Sequence, residues 1–522
     1  MTDRRAFIRQ IGLSGLGLGF SRYGGMLGRE GEKSGLPRSA PEEQGIDAAG
    51  ISDFIDAIGK SKQEFHSLMI LRHGKVVAEG WWTPYTAERK QQLYSLSKSF
   101  TGTAIGLAAQ EGLLSIEDPI LKFYPHLQPA NPDDNLVSLK IKHLLSMSVG
   151  HAKDAILLLE ASAPGVPWEK TFLDIPVVNK PGTRFLYNSG ASFMLSSIIK
   201  QVTGISAHAY LKPRLYDPLR ITGATWTENF EGINMGASHL RIHTEDIAKF
   251  GQLYLQKGLW NGKRILDPDW VASAGNKQIE SGNRDSSWGF GYGFQFWMNP
   301  PGGFRADGAF GQYSMILPEQ DAVVAITSES VSTKDTMQLV WDRLLPLMGN
   351  HPLPKNAAAG TRLREKLNGL HFDPPFGAAH SLLEKKITGK EYALDKNPFN
   401  AKSVLFEFSA NECIFILKEE GKADIRITNG INRWAIGDNF KPTPHSLFSL
   451  RRIDFDSAVA ASAGWIDERT LLLSWRFIET VHGDSLTCIF DEDRIRIRFL
   501  FSVNRLQGKP DDREDILGRQ VA

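Results

Sequence analysis

Leu93-Tyr94-Ser95-Leu96-Ser97-Lys98-Ser99-Phe100 opens a long helical pattern that runs on to about Gly112. A serine with a lysine three residues later on a helix puts both side chains on one face, within reach of each other. A serine hydroxyl is a poor nucleophile at neutral pH, and a neighbouring amine can accept its proton. Ser95 is therefore a candidate acyl-enzyme nucleophile and Lys98 its candidate activator. A helix start also offers unpaired N–H groups and a positive dipole end, both of which favour a developing negative charge. The pattern recurs at Ser197-Ile198-Ile199-Lys200, as chance alone allows in a chain this long. That serine falls inside a helical pattern from Gly190 to about Gly204 and reads as a mid-helix residue. The apolar face expected for the Ser95 helix is Phe100, Ala104, Leu107 and Ala108.

The 522 residues are 42% apolar and 23% charged, an ordinary globular composition with room for two or three domains. Net charge is +1, with scattered lysines and arginines. That argues against a nucleic-acid partner and for a small-molecule or peptide substrate. Arg4-Arg5, Phe7 and the weakly apolar, glycine-rich residues 11–20 read as a twin-arginine export signal over residues 1–28. The apolar run is too short to span a bilayer comfortably. The expected location is periplasmic or extracellular, with no stable membrane span once the signal is removed. Cys413 and Cys488 both lie in apolar strand-like runs, where two buried thiols are more usual than a bridge. No Cys/His cluster has metal-ligand spacing, and no cofactor is expected.

Strand patterns at residues 68–71 and 76–79 flank the turn His73-Gly74-Lys75, after a helical pattern at 51–58. A helical, loop-rich stretch reaches about residue 275, and strand patterns return at 292–297, 312–317 and 323–327. Strands at both ends with helices between predict one α/β domain, residues 40–348, whose sheet is closed by distant segments. Residues 350–362 read as a linker. Beyond it, short alternating strands (404–408, 413–417, 425–428, 471–478, 494–503) predict a small antiparallel β-sandwich or barrel over residues 365–505, separable from the first domain. Its last strand carries Arg494, Arg496 and Arg498 on one face, read as a solvated outer surface.

Tyr187-Asn188-Ser189-Gly190 precedes another helix. A phenol near a lysine ammonium can be pushed towards phenolate, which would make Tyr187 a general base. With this motif in place, the chain resembles the β-lactamase-related serine hydrolases: class C β-lactamases, penicillin-binding proteins and DD-peptidases, serine esterases and 6-aminohexanoate-oligomer hydrolases. The resemblance rests on Ser95-Leu96-Ser97-Lys98, the 111–119 segment (Glu111 to Pro119), His143-Leu144-Leu145-Ser146-Met147, the Tyr187 motif and Asp246-Ile247-Ala248-Lys249-Phe250-Gly251. It covers about residues 40–345. It implies an α/β sandwich, with an antiparallel sheet flanked by helices and the nucleophile at a helix start. Attack would come from Ser95, with proton transfer shared by Lys98 and Tyr187, and an oxyanion hole made by the Ser95 and Ala309 N–H groups. Asn188, Ser189, Ala306, Asp307 and Gly308 are the substrate-binding candidates.

The departure from the family lies at Ala306-Asp307-Gly308, where relatives carry Lys-Thr-Gly or His-x-Gly. The cation is lost, and Asp307 is expected to set a negative charge where a substrate carboxylate would sit. Arg305 should face away from Ala306's side by strand alternation, leaving His239 or Arg241 as substitutes. The expectation is a secreted hydrolase of esters or amides. The alternatives are a β-lactamase or DD-peptidase with its anchor elsewhere, or a protein that acylates without turnover. A fluorophosphonate is expected to add covalently to Ser95. Ser95→Ala should abolish the adduct and Ser197→Ala should leave it, as read by mass spectrometry of the labelled peptide.

Overall fold

The computed structural model describes residues 35–375, 377–440 and 457–521, so the expected export signal lies outside the described residues. Six antiparallel strands make the central sheet: β1 (Glu64–Arg72), β2 (Lys75–Trp81), β3 (Trp297–Met298), β4 (Phe304–Gly308), β5 (Gln312–Leu317) and β6 (Ala322–Glu329). Their spatial order is β2-β1-β6-β5-β4-β3, so the early hairpin is completed by segments more than 200 residues away, as the sequence predicts. Leu68 of β1 lies opposite Ile326 of β6. Both sheet faces are apolar. Leu68 and Ile70 pack under helix α1 (Ala48–Lys60), while Met69 and Leu71 point into the helical layer on the other side. Double coverage explains why β1 reads as a continuous apolar run rather than an alternating one.

Helices α2 (Ser97–Gln110), α3 (Ser189–Thr203) and α4 (Thr244–Leu255) form that layer. The sequence suggests one apolar face for α2, but every residue from Ser97 to Ala108 is buried. Its small residues allow this enclosure. A Cβ on Gly106 would stand 2.3 Å from the Trp270 ring, and Phe100 stacks on Phe250 at 4.0 Å.

The expected linker is extended only as far as Asn356. Ala357–Asn368 forms helix α5, capped by the Asn356 side chain and burying Ala359 and Leu363 in the α1 cluster. The C-terminal strands are β7 (Glu391–Leu394), β8 (Ala401–Phe408), β9 (Glu412–Glu419), β10 (Ile425–Ile431), β11 (Ala435–Phe440), β12 (Ser457–Trp465), β13 (Thr470–Phe477), β14 (Gly483–Asp491), β15 (Arg494–Phe501) and β16 (Ile516–Gln520). Nine of them close into a barrel, with β11 paired outside on β12. Closure uses one short parallel contact, Gly430 to Ser462 and Ile431 to Ala463. Residue 505 is too early a boundary, because β16 bridges β7 and β15 and completes the ring. Cys413 and Cys488 are free thiols buried in the barrel interior. Arg494, Arg496 and Arg498 are exposed, the last two 3.4 Å from Asp515.

The barrel lies directly against the first domain, and Leu36–Ala522 form one compact unit. Ala458 and Ala460, on the outer face of β12, pack with Tyr85 and Ile478. Beside them, Arg476 of β13 reaches Glu64 of β1 at 3.0 Å and stacks 4.0 Å over the Phe372 ring; Arg505 reaches Glu64 at 2.7 Å. Burial alone would raise the Glu64 carboxyl, but the two guanidinium groups hold it below its ordinary value. Removing Arg476 leaves the Glu64 carboxylate with Arg505 as its remaining charged partner. Arg476→Met is therefore expected to lower unfolding free energy by about 1.5–3 kcal/mol, the scale of a lost hydrogen bond to a charged group. Urea titration checks this, and a shift under about 0.5 kcal/mol would show the pair to be dispensable.

Candidate active site

Ser95 lies on a tight 3-10 turn, Tyr94–Leu96, immediately before α2, and is half-buried. The residue before it, Tyr94, has φ of +49°, a left-handed conformation that costs a non-glycine residue of order 1 kcal/mol or more. Lys98, in the first turn of α2, is 2% exposed. Its Nζ lies 3.1 Å from Ser95 Oγ and 3.4 Å from Ser189 Oγ, and donates to Ala237 O at 2.9 Å. Burial lowers the Lys98 ammonium to about 7, against a smaller opposing pull from Asp154. As a neutral amine it has two N–H bonds for Ala237 and Ser189 and a lone pair for the serine proton.

Tyr187 completes the group. Lys98 Nζ sits 4.9 Å from its ring centroid, and its ring stacks on Trp297 at 5.5 Å. The expectation that Tyr187 tends towards phenolate is corrected. Desolvation drives the phenol upward, Asp307 and Asp154 add to the rise, and the Ser95 side chain offsets only part of it. At neutral pH Tyr187 keeps its proton.

Three of the substrate-binding candidates also change role. Asn188 is fully buried; its Oδ1 accepts from Ala155 N and Ala191 N, capping α3, and its Nδ2 meets His151 Nδ1 at 3.1 Å. It orients the motif and has no surface left for substrate. Ala306 is fully buried on the core side of β4, so a lysine there would enter the core rather than the cleft. Asp307 is not a loose negative charge. Its Oδ2 accepts from Arg305 Nε at 2.9 Å and from Trp288 Nε1 at 3.1 Å. Arg305 does face away from Ala306, but residues i and i+2 of a strand share a face, which is why Arg305 and Asp307 meet.

Ser189 and Gly308 stay at the site. Gly308 is obligatory on packing grounds: a Cβ there would stand 2.1 Å from Leu93 O, at the start of the Ser95 turn. The β4–β5 hairpin is thus seated against that turn, with Ala309 exposed at its tip and Phe310 at φ +63°. His239 lies one residue from Ser238, with which it hydrogen-bonds, and Arg241 sits on the short strand Leu240–Ile242 close enough to Lys90 to help depress that amine. Ser197 is a buried structural hydroxyl that donates to Glu169 Oε1 at 2.5 Å and accepts from Tyr124 at 2.9 Å.

Asp154 was not visible as a site residue. Its Oδ1 accepts from Ser189 N at 2.7 Å and Gly190 N at 3.3 Å, anchoring the start of α3, and its charge is felt by Lys98 and Tyr187. A lone aspartate in a loop carries no pattern that would single it out.

The Beta-lactamase family model matches residues 59–346, more than half of the chain. The chain belongs to that family and is an enzyme of the serine-hydrolase type. It is 24% identical over 283 residues to a 6-aminohexanoate-dimer hydrolase of Paenarthrobacter ureafaciens, covering 49% of this chain and 71% of that protein. It is 26% identical over 176 residues to Protein flp of Staphylococcus aureus, covering 31% of this chain and 35% of that one. A solved Bacillus anthracis structure, described as a candidate 6-aminohexanoate-dimer hydrolase, superposes with a TM-score of 0.50 at 20% identity, over 61% of this chain and 89% of that one; the likeness is one of fold. The barrel lies beyond the residues of the family match.

The buried amine sets a pH dependence. Below about 7 Lys98 carries a proton and cannot accept another; above it the neutral form dominates. With Lys98 as base, kcat/KM for an ester should rise with pH to a plateau above about 7, with unit slope on the acid side. Lys98→Ala and Tyr187→Phe should each lower kcat about a hundredfold or more, and the double variant should lose far less than their product. A flat profile from pH 5 to 9 would remove Lys98 from the role of base.

Proposed function

We propose that this protein hydrolyses neutral esters or amides through an acyl-enzyme on Ser95. The observation that carries the proposal is the buried Lys98 amine 3.1 Å from Ser95 Oγ. Ser95 Oγ attacks the substrate carbonyl while its proton passes to neutral Lys98. The carbonyl oxygen gains negative charge and is stabilised by the N–H groups of Ser95 and Ala309. Tyr187, protonated at rest, gives its proton to the departing alkoxide or amine, and Lys98 restores it. Water then attacks the acyl-enzyme with the same groups accepting its proton and returning one to Ser95 Oγ.

The restriction to neutral substrates rests on Arg305. The cation on β4 is fully buried and committed to Asp307, to Met298 O and Ser287 O, and to Asn299 Oδ1. It is not presented to a substrate carboxylate. Beside Tyr187, Trp297 and the partly exposed Trp288 give an aromatic wall suited to an apolar acyl or leaving group. Export is part of the same proposal, supported by Arg4-Arg5, Phe7 and the apolar run after them, which fit a twin-arginine route to the periplasm or beyond.

A charge-assisted hydrogen bond to a substrate carboxylate is worth roughly 1.5–3 kcal/mol, or about ten- to a hundredfold and more in kcat/KM. Penicillins, cephalosporins and peptides ending in D-alanine, which rely on such a bond, should be poor substrates. Small p-nitrophenyl esters should be turned over at least about tenfold more efficiently than a chromogenic cephalosporin. Efficient cephalosporin turnover by the unmodified protein would overturn the reading.

A further inference from the structure

The nucleophile turn and the β4–β5 turn meet a side chain from the barrel. His482 lies between β13 and β14, and its side chain is 7% exposed. Its Nδ1 is 2.6 Å from Oε1 of Glu329, the last residue of β6, whose side chain is fully buried. The same carboxylate oxygen accepts from Ser502 Oγ at 2.6 Å. The His482 Nε2 lies 2.7 Å from the hydroxyl of Tyr94, within hydrogen-bond distance. The imidazole also meets the Phe310 ring edge-on at 4.7 Å, and Phe310 meets Tyr94 at 5.3 Å.

Tyr94 and Phe310 flank the two backbone groups of the oxyanion hole: Tyr94 precedes the Ser95 N–H and Phe310 follows the Ala309 N–H. Both are left-handed non-glycine residues, a conformation that persists only where the surroundings hold it. Hydrogen bonds to barrel carbonyls secure the same junction, with Gln92 N donating to Glu479 O at 3.2 Å and the Gln91 side-chain Nε2 to Ile478 O at 2.5 Å.

We propose that His482, oriented by Glu329, is a positioning residue contributed by the C-terminal barrel, clamping both turns of the oxyanion hole through Tyr94 and Phe310. The barrel is then part of the catalytic apparatus although it supplies no group that touches substrate. This rests on Ser95 being the nucleophile. Displacing a reacting group by about an ångström costs on the order of a hundredfold in rate. The full chain is tested as His482→Ala, His482→Gln and Tyr94→Phe, with active-site titration to count competent sites and stopped-flow to give the acylation rate per site.

His482→Ala and Tyr94→Phe should each slow acylation per site by about ten- to a hundredfold, with KM changed by less than about threefold. His482→Gln can accept from Tyr94 and donate to Glu329, and should recover part of the rate. An unchanged rate per site in His482→Ala or Tyr94→Phe, with only fewer titratable sites, reduces the junction to a folding contact and overturns the clamp. Absence of a Ser95 adduct in the unmodified protein overturns instead the assignment of the nucleophile.

Discussion

A lysine amine kept dry beside a serine hydroxyl is the constraint around which this molecule is arranged. Water at Lys98 would return its proton affinity towards that of an ordinary lysine and leave Ser95 without an acceptor. Keeping it dry requires α2 to be enclosed on every side, and its sequence is built for that. Phe100, Ala104, Ile105 and Leu107 supply apolar packing, and Gly106 lets the Trp270 ring approach the backbone. The polar residues that remain are each satisfied internally: Ser97 by Tyr94 O, Ser99 by Gln295 O, Thr101 by Gly236 O and Thr103 by the Tyr254 hydroxyl. Buried hydroxyls without such partners would offset much of the packing energy.

The second constraint is the approach of two turns distant in sequence. Tyr94 and Phe310 hold left-handed backbone without being glycine, and at Gly308 the two turns come too close for any side chain. Strain of this kind has to be balanced by its surroundings, and here much of the surroundings belongs to the barrel. The contact surface is correspondingly unusual for two domains of one chain. Alanines of β12 bring the backbones close, while a largely buried Glu64–Arg476 ion pair and the buried Glu329–His482 contact cross it. Such contacts fix relative orientation as well as energy, because a charge that loses its partner is costly to leave buried.

Local pattern and composition were sufficient for much of the architecture. The helix opened by Ser95, the strands around residues 68–71, 76–79, 312–317 and 323–327, and five barrel strands are visible because their side-chain periods match their burial. Of the other barrel strands, β14 shows only as the apolar run around Cys488, and β7, β12 and β16 do not show. In β12 all nine residues are buried, since one face lines the barrel and the other is covered by Tyr85 and Ile478. An alanine-rich segment buried on both faces, with Val459 its one β-branched residue, lacks the alternation that marks a strand. β16 is a five-residue strand of mixed polarity whose place comes from closing the ring.

The amino-acid sequence by itself determined the pairing of Ser95 with Lys98. A spacing of three residues, from the 3-10 turn into the first turn of α2, brings the two side chains together, and the Tyr187 motif adds a phenol beside them. Tertiary structure alone decided the protonation states, because the fall of Lys98 to about 7 and the rise of Tyr187 come from enclosure that no local window encodes. It also decided that Asp307 is neutralised by Arg305, that Asn188 and Ala306 are structural, and that Asp154 anchors the start of α3. The meeting of His482 with Tyr94, 388 residues apart, is the extreme case: contact at that separation is set by how two domains pack, and periodicity carries no record of it.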